Sequence, residues 1–176
     1  MGHAKMHVGV QGIGTSKTEL QFLTRHGVTH MDAQVDGNDA ETLTRHRQEA
    51  ADEGVSLEMI HYDPARSITL AQDPQRDRDI EEYCKVIEAV GQAGLRGINY
   101  NFCVLSHQRT PNTPGRGGSS YSTFDMAEYD NETLSEAGTV SRDESFDRAG
   151  YFLERVIPVA EEANVKLAMH PDDPPL

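Results

Sequence analysis

Short apolar runs alternate with longer stretches whose apolar residues recur at helical spacing, and the alternation repeats along the whole chain. The runs Met6 to Val10, Val28 to Gln34, Val55 to Tyr62, Leu95 to Phe102 and Val165 to Met169 read as buried strands. Between them lie helix signals. Ser16-x-x-Glu19 is a capping box that opens a helix through Leu20, Phe22 and Leu23 and closes near Gly27. Asn38, with Glu41 three residues on, caps a second helix running to about Glu53 before Gly54. Asp73 caps a third, with Pro74 at its first position and Ile80, Tyr83, Cys84, Ile87 and Val90 along one face up to Gly94. Ser141-x-x-Glu144 opens the last, whose predicted apolar face is Phe146, Ala149, Leu153, Ile157 and Ala160. Pro158 lies inside that pattern and is expected to kink or break the helix, which Asn164 ends.

Four strand-helix units and a fifth strand in strict alternation argue for an α/β fold with an all-parallel sheet and helices outside it. Two architectures fit. An open doubly wound sheet is complete at this length, whereas an eight-fold (β/α) barrel of about 250 residues would be a little over half built. The fifth strand runs straight into His170-Pro171-Asp172-Asp173-Pro174-Pro175, with no helix to cover it, and this favours an incomplete TIM-barrel type. Residues 1–176 are therefore expected to form one partial barrel domain.

The rhythm breaks once. From Cys103 to about Val140 no periodicity is evident, and Pro111, Pro114, Gly115, Gly117 and Gly118 mark a long loop. Loops of this length in a compact domain tend to be lids or binding loops, and this one follows the carboxyl end of a strand.

Composition narrows the partners. Sixteen basic against 29 acidic residues give a net charge of −13, a field that repels nucleic acid and anionic membranes. No apolar run approaches the roughly 20 residues of a membrane span and no signal-peptide core is present, so a cytoplasmic protein is expected. Cys84 and Cys103 make no disulfide framework and have no second cysteine at zinc-site spacing. Gln11-Gly12-Ile13-Gly14 lacks the third glycine of a dinucleotide fingerprint and reads as a plain turn.

Chemistry-bearing residues gather at strand ends. His170 ends the fifth strand, where parallel α/β folds place their sites, though a histidine there also serves as a simple backbone partner. Asp172 and Asp173 ligate a cation, orient the imidazole, or act as ordinary turn residues before proline. His61 ends the third strand beside Tyr62 and Asp63 and is held as a pocket residue, while His30 reads as structural. Tyr100-Asn101-Phe102 ends the fourth strand with one polar side chain directed inward. In the long loop, Arg109 and the run Arg116-Gly117-Gly118-Ser119-Ser120-Tyr121 suit a carboxylate or phosphate, or else form a merely soluble loop.

These segments resemble a known family. Ile98 to Phe102, Arg109-Thr110, Ile157 to Glu162 and above all Met169 to Pro175 are similar to the corresponding segments of mannonate dehydratases, in order and spacing. The resemblance implies a TIM barrel like that of xylose isomerase, Mn2+ or Fe2+ as cofactor, and dehydration of D-mannonate to 2-dehydro-3-deoxy-D-gluconate in hexuronate degradation. It implies that His170 is a metal ligand, with a cysteine, a histidine and an aspartate on later strands completing the set. Neither Cys84 nor Cys103 matches that cysteine, and the family's acid and base groups are likewise expected outside this chain.

On this reading Asn101, Arg109, Arg116, Gly117, Tyr121 and Asp172 contact a small sugar acid, and the chain is a fragment lacking the remaining ligands. A sugar isomerase or epimerase on the related barrel is one alternative. The other is a non-catalytic half-barrel that self-associates through exposed sheet edges as a homo-oligomer.

Overall fold

The computed structural model describes residues 7–105, 108–130 and 132–171. In chain order its elements are β1 (Gly9–Ile13), α1 (Lys17–Arg25), β2 (His30–Ala33), α2 (Ala40–Asp52), β3 (Ser56–His61), α3 (Arg66–Thr69), α4 (Gln75–Gln92) and β4 (Gly97–Asn101), followed by β5 (Thr110–Pro114), β6 (Ser120–Thr123), α5 (Arg142–Glu162) and β7 (Lys166–His170). β1, β2, β3, β4 and β7 pair in that order, all parallel. A doubly wound sheet reverses its strand order at a switch point; an order that only advances is that of a barrel wall.

Each strand has two unlike faces. Ile98 and Tyr100 of β4 are buried against the helices, where Tyr100 meets Phe152 of α5 at 5.9 Å and Tyr83 of α4 at 6.5 Å between ring centroids. Tyr83 in turn packs edge-on to Phe152 at 5.1 Å, and its hydroxyl donates to the Tyr62 carbonyl at 3.0 Å. Phe102 closes this aromatic cluster at 5.7 Å from Phe152. Because side chains alternate along a strand, Gly97, Asn99 and Asn101 face the opposite, inner side.

Several helix ends differ from the sequence reading. Ser16 and Ser141 cap α1 and α5 as expected, accepting from the Glu19 and Glu144 amides. α2 is capped by Asp39 rather than Asn38, whose neighbour's carboxylate reaches the Thr42 amide at 2.9 Å. α4 starts at Gln75 after a cis Asp73–Pro74 bond, and Asp73 pairs with Arg76 at 2.9 Å instead of capping. α5 runs unbroken through Pro158, which lies on the exposed side of the helix, as does Glu154 four residues before it. Its buried stripe is Phe152, Val156 and Ala160, whereas Phe146 is 66% exposed and Ile157 42%. Apolar residues occur nearly all round this helix, and several stripes were readable from spacing alone.

The segment after β4 is more ordered than its composition implied. β5 and β6 form an antiparallel hairpin around Gly115 and the turn Arg116–Gly118, in which Gly117 has φ +66°. A Cβ at Gly115 would lie 2.7 Å from the Tyr121 ring, so a larger residue there requires the Ser119 and Tyr121 side chains to move. Arg66 on the unanticipated α3 holds the segment at both ends. Its guanidinium donates to the Cys103 carbonyl at 2.8 Å, the Val104 carbonyl at 3.0 Å and the Glu136 carboxylate at 2.6 and 2.8 Å.

Candidate functional site

The inner face of the sheet becomes polar towards the carboxyl ends of its strands. Register places His61 beside Asn99, and Asn101 beside His170, so these four side chains form a band on one face. Asp32 of β2 joins it through Asn99, whose Nδ2 donates to Asp32 Oδ2 at 2.8 Å. Asp63, just past β3, accepts at Oδ1 from the Asn101 backbone at 2.6 Å and from Asn101 Nδ2 at 3.1 Å, and His61 Nε2 lies 3.2 Å from the same oxygen and 3.4 Å from Asn101 Nδ2.

Two groups in this band are held in unusual states. Burial keeps the Asp32 carboxyl above the ordinary carboxylate range, against the opposing pull of the Asn99 hydrogen bond and of His61. Its Oδ1 is buried and has no hydrogen-bond partner among the described residues. His170 contacts the Pro171 carbonyl through Nδ1 at 2.6 Å. A carbonyl only accepts, so Nδ1 is the donor in this contact, and in the neutral imidazole Nε2 is then the nitrogen with the lone pair, the arrangement of a metal-ligating imidazole.

The structure brings Asn101 and His170 together as strand neighbours. Arg109, Arg116, Gly117 and Tyr121 all lie at or within the β5 and β6 hairpin, whose strands pack chiefly on each other. Arg109 Nε donates to Ser122 Oγ at 2.8 Å and its Nη1 to the Gln108 carbonyl at 2.8 Å. Tyr121 is 57% exposed. Asp172 falls outside the described residues. Gln11-Gly12-Ile13 belongs to β1, where Gly12 has φ +71° at a register shift, so this stretch is a bulged strand end.

Asp32, Asp63 and Asn99 were not singled out from the sequence. The signal was present for two of them: Asp32 stands between the buried Met31 and Ala33 in a short strand, and Asn99 precedes Asn101 by two residues, on the same face. Polar residues at alternate positions of an otherwise apolar strand mark a face that looks onto something other than helices.

Five parallel strands in advancing order, with a polar band towards their carboxyl ends, define a (β/α)-barrel wall. The sequence profile of the D-mannonate dehydratase (UxuA) family matches residues 8–138 and 128–176, and the chain belongs to that family. The mannonate dehydratase of Thermotoga maritima is 33% identical over an alignment of 160 residues that takes in 69% of this chain and 43% of the relative. Mannonate dehydratase 1 of Halalkalibacterium halodurans is 32% identical over 153 residues, covering 66% of this chain and 42% of the relative. The chain thus spans under half the length of these curated relatives.

Among solved structures, mannonate dehydratase from Streptococcus suis serotype 2 superposes with a TM-score of 0.81 at 23% identity, over 96% of this chain and 54% of that one. D-psicose 3-epimerase from Clostridium cellulolyticum H10 has a TM-score of 0.60 at 12% identity, over 92% of this chain and 51% of that one, a likeness of fold alone.

Proposed function

We propose that this chain supplies one side of the active site of a mannonate dehydratase, which removes water from D-mannonate to give 2-dehydro-3-deoxy-D-gluconate. The observation that carries the reading is the strand-neighbour pairing of His170 with Asn101 on the inner face, at the end of the sheet where barrels do their chemistry.

His170 fits as one imidazole ligand of a divalent cation, Mn2+ or Fe2+, because its Nδ1 is committed to backbone and its Nε2 is left with a lone pair. Among the described residues no group of three or more histidine, cysteine, aspartate or glutamate side chains converges on a cation position. The curated relatives are more than twice as long as the part this chain matches, and on this reading the rest of the ligand set belongs to the portion they have beyond it. Such a cation supplies Lewis-acid stabilisation of negative charge developing on the sugar acid. The part of this chain is to bind and orient: Asn101 faces the cleft, and Arg109, Arg116, Gly117, Tyr121 and Asp172 are the remaining proposed substrate contacts.

The test is direct. Full-length protein supplied with Mn2+ and D-mannonate should form 2-dehydro-3-deoxy-D-gluconate, and the His170→Ala variant should not. Turnover of ketohexoses by C3 epimerisation, with no dehydration of mannonate, would replace this reading by that of an epimerase.

A further inference from the structure

Asn99 and Asn101 share the inner face of β4, and each has its amide nitrogen turned towards a carboxylate from another strand or loop. An ionised carboxylate only accepts hydrogen bonds, so each side-chain NH2 must face its aspartate and each carbonyl oxygen must point away from it. We propose that Asp32 and Asp63 are positioning residues that commit the two amide nitrogens, so that the Asn99 and Asn101 carbonyl oxygens form a pair of acceptors for two different hydroxyl groups of a polyhydroxy acid. This rests on the sugar-acid reading above.

Two features support the assignment. The asparagines leave the strand about 7 Å apart, two residues at roughly 3.3 Å each, which is too far for both to hold one hydroxyl and suits two. Asp32 is also costly as a structural group, since it carries a buried oxygen with no partner among the described residues. Asp63 Oδ1 accepts from both the backbone and the side-chain amide of Asn101, which fixes that side chain against its own strand. Groups that reduce stability yet fix the orientation of a neighbour are expected where a ligand must be read.

The experiment measures D-mannonate binding to the full-length protein by calorimetry, with the side-chain amide signals of Asn99 followed by NMR. Asn99→Ala is expected to weaken binding about tenfold, the worth of one hydrogen bond to a ligand. Asp32→Ala should weaken it to a similar extent, and the double variant should be no worse than either single one, because Asp32 acts through Asn99. Asp32→Asn, which keeps an acceptor for the Asn99 amide, should restore most of the affinity. Additive losses, or full affinity in Asp32→Ala, would overturn the proposal. Failure of the unaltered protein to bind mannonate would overturn the sugar-acid reading and the hydroxyl role with it. The NMR signals decide the orientation separately: they must shift on Asp32→Ala, and an unchanged Asn99 amide rules the positioning role out.

Discussion

Arg66 and Glu136, 70 residues apart in sequence, are joined by two hydrogen bonds from one guanidinium, which at the same time grips the Cys103 and Val104 carbonyls. A single planar fork therefore ties the exit of β4 to the far end of the long segment that follows it. Lysine has no such geometry.

Replacing Arg66 by alanine or by lysine should accordingly loosen that segment without unfolding the protein. The pair is 39% and 62% exposed, so its contribution to global stability is small, at most about 1 kcal/mol. Hydrogen exchange is expected to rise several-fold around Val104 and Glu136 while the thermal midpoint moves by less than about 4 °C. Equal rescue by lysine would show that charge alone holds the segment.

His170→Ala should remove the proposed metal ligand at little structural cost, since the side chain is only half-buried at a strand end. The full-length variant is expected to fold with an unchanged far-ultraviolet circular dichroism spectrum and to retain much less than stoichiometric Mn2+ by elemental analysis. Stoichiometric metal in the variant would assign the site elsewhere.

For Asp32 the sign of the pH dependence follows from its raised pKa. The folded carboxyl binds its proton more tightly than the unfolded one, whose ordinary value is 3.8. Its stabilising contribution is therefore greatest in acid and is lost as pH rises from there through the raised folded value. Asp32→Asn removes that penalty and keeps an acceptor for Asn99. The variant should melt roughly 3 °C higher at neutral pH, equivalent to about 1 kcal/mol, and the gain should vanish near about pH 3. A constant difference at all pH values would show that ionisation is not its source.

At Gly91, α4 packs closely against Ala163, which caps α5. A Cβ there would sit 2.7 Å from the Ala163 carbonyl oxygen and 3.1 Å from its Cβ. Both neighbours belong to a helix cap and cannot turn aside, so Gly91→Ala should cost about 2 kcal/mol despite alanine's better helix propensity. A chain of this size would then melt some 4 to 8 °C lower by calorimetry. Higher stability would mean that α5 shifts freely on the sheet.

Arg109→Ala, proposed as a substrate contact, is expected to raise KM for D-mannonate with a smaller change in kcat. An unchanged KM together with an unchanged kcat would leave Arg109 a hairpin residue only, tied to Ser122.

The strands and most helices were legible because burial imposes periodicity. Ile60, Ile98 and Tyr100 must face helices, and every second residue shows it. The hairpin was not legible: Thr110-Pro-Asn-Thr-Pro is exposed beyond its first residue and carries two prolines, so no apolar alternation records its pairing. α3 was missed for its shortness. His170 and Asn101 could be placed at strand ends because the apolar runs stop there, and the register sets them side by side. Asp32 and Asp63 could not be joined to them, since hydrogen bonds spanning 67 and 38 residues leave no mark in local spacing.

The aromatic cluster behind β4 has a consequence for the face in front of it. Tyr100 is wedged among Tyr83 and Phe152, and its two strand neighbours are Asn99 and Asn101. A slip of β4 by one residue would drive an asparagine into the aromatic layer and swing the tyrosine onto the inner face. The rings thus act as a keyway: by admitting one register only, a wholly apolar contact dictates which polar groups the inner face presents.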